Sequence, residues 1–146
     1  VGEKQEESRE VRLTATDGAD PVLCRMVSLV DQERGVQLPV TLQMGGALVS
    51  GHLVGVREYA VGIEAEVVRA ASEASMEGAE SLRGKAARVL GEQPDLSGLD
   101  DYTPSHIHLR NVTVWTPGGA ATAQMQAPWW RGRLAAVEAF VLGKPE

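Results

Sequence analysis

Between Leu38 and Val56 the chain changes to a period of two. Val40, Leu42 and Met44 alternate with Thr41 and Gln43, Gly45-Gly46 follows, and Ala47 to Val56 runs on as a longer segment interrupted by Gly51 and Gly55. Successive residues of a strand point to opposite faces, so the alternation builds one apolar and one polar face. A Gly-Gly pair between two such runs is a hairpin signal. Glycine inside a strand marks a bend or a close backbone approach. A strand that curls through both halves of a small barrel needs such points.

The flanking segments are read in the same way. Val1–Ala19 is an acidic, polar leader, with Val11-Arg-Leu13 its one short extended piece. Asp20-Pro21 opens a helix, Asp as N-cap and Pro at the first helical position, where its missing N–H is not needed. Leu23, Met26, Val27 and Val30 recur at helical spacing, and Gly35 supplies a left-handed stop. From about Arg57 to Gly91 the pattern is helical again. Tyr59, Ile63, Val67, Ala70 and Ala74 form one stripe, with Glu66, Arg69, Glu73 and Glu77 off it. Gly78 breaks the run, and Leu82, Ala86, Val89 and Leu90 form a second stripe. Glu92 to Ser105 reads as a surface loop. His106 to Thr116 is a strand ended by Pro117-Gly118-Gly119, Ala120 to Pro128 a mobile Ala/Thr/Gln loop, and Trp129 onward a pair of short closing strands.

The expected fold is therefore mainly β with helices. An N-terminal helix precedes a bent five-stranded antiparallel barrel, with a helical insertion and loop over about 57–105 between strands 2 and 3. Residues 1–19 are a flexible leader and 20–146 a single domain. This order of elements resembles the Sm-like barrel, whose glycine-bent second strand is shared by both halves.

Three separated segments carry a closer resemblance. Gly46-Ala-Leu-Val-Ser-Gly-His-Leu-Val-Gly-Val-Arg-Glu-Tyr59, His106-Ile-His-Leu-Arg-Asn-Val112 and Trp130-Arg-Gly-Arg-Leu-Ala-Ala-Val-Glu-Ala-Phe-Val-Leu-Gly-Lys144 resemble the gas vesicle accessory protein GvpU family, over about Val22 to Lys144. That resemblance implies a bacterial, cytoplasmic, non-enzymatic protein without a cofactor. Its partners would be gas vesicle shell or accessory proteins, and its role vesicle assembly or clustering. The Sm-like resemblance implies the alternative: a homo-oligomeric ring that binds RNA. Two departures weigh against RNA. The Sm loop that contacts bases would fall where the helical insertion begins, and Arg131-Gly132 opens the fourth strand, where the Sm pair follows it.

The residues themselves announce little chemistry. His106 and His108 leave one face of a predicted strand, and His52 from a nearby strand could complete a zinc triad. The simpler reading is an exposed polar face opposite Ile107 and Leu109, and no metal is expected. Asp100-Asp101 and the glutamates of the insertion sit in loops or on polar helix faces, where nothing separates their pKa values for acid/base work. Ser50-Gly51 lacks the nucleophile-elbow spacing and Gly45-Gly46 lacks the phosphate-loop ending, so no catalytic or cofactor-binding residue is assigned. Cys24 reads as core. The suspicious cluster is Trp129-Trp130 with Arg131 and Arg133: adjacent strand residues face opposite ways, and Trp with Arg is a frequent interface composition.

Composition narrows the classes further. The chain has 146 residues, 43% hydrophobic, which suffices for one globular core. Its net charge of −6 and pI near 5.1 oppose a broad nucleic-acid footprint. One cysteine rules out an intrachain disulfide and fits a reducing cytoplasm. No apolar run approaches the ~20 residues of a membrane span.

Overall fold

The computed structural model describes residues 18–73, 78–90, 102–118 and 121–145. In chain order these form α1 (Pro21–Gln32), β1 (Leu38–Met44), β2 (Ala47–Val54), α2 (Val56–Glu73), α3 (Ala79–Leu90), β3 (His106–Gly118), β4 (Ala121–Arg133), a 3-10 turn (Leu134–Ala136) and β5 (Ala139–Leu142). The expected leader up to residue 17, and Asp100-Asp101, lie outside the described residues.

Local chemistry sets the first half. The Asp20 carboxylate accepts from the Val22 and Leu23 amides at 2.8 and 3.2 Å, capping α1 as the sequence predicts. The helix ends at Gln32, before Gly35; that glycine, with φ of +77°, serves the turn into β1. Gly45 and Gly46 both have positive φ, which suits the tight hairpin closed by Met44 opposite Ala47.

The five strands make one antiparallel sheet in the order β4-β3-β2-β1-β5. This corrects the expected barrel. β4 and β5 stand at opposite ends of the order and pair with β3 and β1 only, so the sheet is open. A second correction concerns the end of the chain. Ala120 to Pro128, expected as a loop, belongs almost entirely to β4, and Trp129 to Arg133 is the last part of that long strand. The Ala/Thr/Gln composition hid its alternation, and in-register pairing with β3 along the whole strand decides the matter.

The bend sits where Gly51 predicted a special position. Ser50 pairs with Thr113 and His52 with Arg110, so β3 places two residues, Asn111 and Val112, against one on β2. This is a β-bulge, with Asn111 in the left-handed region at φ +54°. The bulge shifts the side-chain phase of β3, so that Ile107, Leu109 and then Val112 all enter the core. A Cβ on Gly51 would lie 3.0 Å from the Arg110 carbonyl oxygen and 3.0 Å from Val112 Cγ2.

Two helical layers cover the sheet. On one face α1 packs Leu23, Val27 and Val30 against Val40, Leu42, Leu53, Ile107 and Leu109, all buried. Each such side chain contributes roughly 1.5–3 kcal/mol relative to exposure. Cys24 belongs to this core, as expected. The inserted α2 and α3 pack on each other, and α2 also meets β3 and β4. Off the packed side of α2, Arg69 bridges Glu66 and Glu73 at 2.6 and 2.8 Å. No helix among the described residues is long and apolar enough to cross a membrane.

Candidate functional site

The functional question centres on the sheet face opposite α1, where α2 meets the ends of β3 and β4. Strand alternation and register put His106, His108 and Arg110 of β3 beside Arg133, Arg131 and Trp129 of β4 on that face. Trp130 and Gly132 point to the other side, where the Trp130 indole packs over Gly132 and against the main core. The two tryptophans thus divide between the faces, as strand geometry requires, and both are half-buried. Each lies against a glycine. A Cβ on Gly62 of α2 would collide with the indole of Trp129, and one on Gly132 with the indole of Trp130. Gly62 is thus the gap in α2 that lets Trp129 sit beneath the helix.

Around Trp129 the contacts are aromatic and cationic. The Tyr59 ring meets it edge-on at 6.3 Å between centroids. The Arg110 guanidinium lies 5.2 Å from the ring centroid, within cation–π range. Arg110 also approaches Glu58 at 3.8 Å, and Glu58 accepts from Gln37 at 3.2 Å. Arg131 and Arg133 are exposed on the same face.

His108 departs from its expected setting on an exposed polar face. It is 3% exposed, and neither ring nitrogen has a hydrogen-bond partner. Tyr59 covers it, ring centroid to ring centroid 4.6 Å. Periodicity placed His108 opposite Ile107 and Leu109 correctly; only the arrival of α2 buries that second face. Burial pushes its pKa down to about 4, with Arg131 and His106 adding repulsion. His106 is lowered by burial and then by Arg131 and Arg133, while its Nδ1 shares a 2.8 Å hydrogen bond with Ser105. His52, opposite Arg110 in register, is lowered by burial, Lys144 and Arg110. Neutral imidazole is the form that binds metal. Yet among the described residues no three His, Cys, Asp or Glu side chains come together in a metal-binding group.

A groove of about 970 Å³ opens beside Trp129, between the end of α1 and the start of α2, lined in part by Arg34, Glu58, Val61, Gly62, Arg110 and Trp129. Its floor holds a residue that sequence reasoning missed. Asp31 is 6% exposed and accepts two hydrogen bonds at 2.9 Å, from the Val56 amide and from the Tyr102 hydroxyl. A residue of α1 thereby caps the first turn of α2 and holds the segment leading into β3. Burial raises the Asp31 pKa against the lowering effect of both hydrogen bonds. Burial and then the Asp31 charge raise that of Tyr102. The available signal was Asp31 at four residues past Val27, inside the apolar stripe of α1.

Three arginines and a half-buried indole beside a groove can hold a carboxylate, an aromatic group or a phosphate. Among known proteins, a family model described as gas vesicle protein GvpU-like matches residues 20–145. No curated protein matches the chain.

Proposed function

We propose that this chain, which belongs to the GvpU-like family of gas vesicle accessory proteins, acts without catalysis, through protein–protein contacts, in the assembly or clustering of gas vesicles. Its partners are vesicle shell proteins, other accessory proteins and further copies of itself, and its place is the cytoplasm beside the vesicles. The observation that supports a contact role is the face formed by Trp129, Arg110, Arg131 and Arg133 next to an open groove. Anchors of this kind, an aromatic with arginines at the edge of a pocket, dominate binding energy at interfaces.

The test is flotation with vesicles. Arg131→Glu with Arg133→Glu changes only exposed positions and should release the protein from the floating fraction, with circular dichroism unchanged. Trp129→Ala should do the same, and Trp130→Ala should lower stability through the core. The same cluster gives the RNA reading its one favourable observation, since arginine beside a half-buried indole can hold single-stranded bases. RNA binding would fall steeply with salt. Flotation unaffected by all three changes, together with tight RNA binding at physiological salt, would replace the vesicle reading with that one.

A further inference from the structure

From Asn111 to Trp130 no residue carries a charge, although 23% of the chain is charged. This neutral stretch is the β3–β4 hairpin, and β4 is an edge of the sheet with no strand on its outer side among the described residues. Natural edge strands are guarded by charges, prolines, bulges or shortness, because an open row of N–H and C=O groups pairs with other strands. β4 is thirteen residues long. Its guards, Pro128, Arg131 and Arg133, stand toward one end, and residues 121–127 contain neither charge nor proline. The other edge differs: β5 has four residues and is followed closely by Lys144 and Pro145.

We propose that β4 pairs antiparallel with β4 of a second copy, centred on Gln124. Two observations set this register. The first is the direction of the backbone groups. Pro128 has no N–H, and the ladder with β3 passes over it, although the flanking pairs Arg110–Trp129 and Val112–Ala127 keep one register. In an antiparallel ladder alternate residues turn both backbone groups toward the partner or away from it. A proline within such a ladder belongs at a position that faces away. Stepping back by two, Gln126, Gln124 and Thr122 direct their N–H and C=O groups to the open edge. A two-fold axis through Gln124 then joins that residue to its copy as a hydrogen-bonded pair.

The second observation is the sequence of the strand. Thr122, Gln124 and Gln126 alternate with Ala121, Ala123, Met125 and Ala127. Reversed about Gln124, the pattern matches itself. Gln124 meets Gln124, Ala123 meets Met125, Thr122 meets Gln126 and Ala121 meets Ala127. This register opposes no like charges. Gln124, Met125 and Gln126 are exposed in the single chain, Met125 by 57%. Such an isologous contact closes at two copies. It makes the self-association proposed above specific to one strand.

The test introduces one charge at the axis, where it opposes itself. Sedimentation equilibrium of the full chain should show a dimer for the wild type. Gln124→Lys and Gln124→Glu should each be monomeric at concentrations where the wild type is dimeric, with unchanged circular dichroism. An equimolar mixture of the two should dimerise again, at least about tenfold more tightly than either alone. A wild type that stays monomeric overturns the proposal, as does association in either variant equal to the wild type. A mixture no tighter than its components does so too. No vesicle enters this measurement, so failure here leaves the flotation result to stand or fall separately.

Discussion

His108 should make the protein acid-sensitive by an amount that can be worked from its burial. Its pKa falls from 6.5 to about 4 on folding, chiefly because the charged imidazole would be desolvated under Tyr59 and then because Arg131 and His106 repel it. A depressed pKa means that the unfolded chain takes up the proton first. The stability linked to His108 is therefore complete above pH 6.5 and is lost as pH falls through about 4. With these two values the loss between pH 7 and pH 5 is about 2 kcal/mol, and by pH 4 it approaches roughly 3 kcal/mol. Asp31, whose pKa is raised, acts in the opposite sense: its contribution is complete below its unfolded value and is lost as pH rises through the folded one. A comparison of wild type with His108→Leu cancels that term. Urea unfolding of both proteins at pH 7 and pH 5 is the assay. The wild type should lose about 2 kcal/mol more than the variant over this interval. At pH 7 the variant should be close to neutral, because it removes two nitrogens that have no partner. Equal losses in the two proteins would refute the reasoning, as would an NMR titration of His108 with a midpoint near 6.5.

Two further outcomes concern the frame that holds the site. Gly51→Val should destabilise by about 2 kcal/mol in thermal or urea unfolding, because the new side chain must displace the Arg110 carbonyl and Val112; an unchanged midpoint would remove the close approach at the bulge from the account. Asp31→Ala should cost roughly 2–3 kcal/mol, since it strands the Val56 amide and the Tyr102 hydroxyl, whereas Tyr102→Phe should cost about 1 kcal/mol; hydrogen exchange should show the first turn of α2 opening in Asp31→Ala alone.

Where local chemistry decides, this fold was legible in the sequence. Asp20-Pro21 started α1, Gly45-Gly46 turned the first hairpin, the period of two over 38–54 gave β1 and β2, and the stripe from Tyr59 gave α2, with Gly78 at the break. The sequence also placed Trp129 and Trp130 on opposite faces, because a strand has no other option. Tertiary structure decided what no period encodes. Whether β4 and β5 meet depends on the curvature of the whole sheet, and they do not meet. The strand from Ala121 exists because β3 offers it a continuous ladder, against the weak preference of its own alanines and glutamines. Most of the candidate site was hidden for the same reason. His108, Tyr59 and Gly62 converge on Trp129 only when the inserted helix folds back over the sheet. Asp31 caps a helix that begins twenty-five residues further along the chain. Alternation along a strand reports which way a side chain points; only the arrival of a second layer determines whether it meets water or protein.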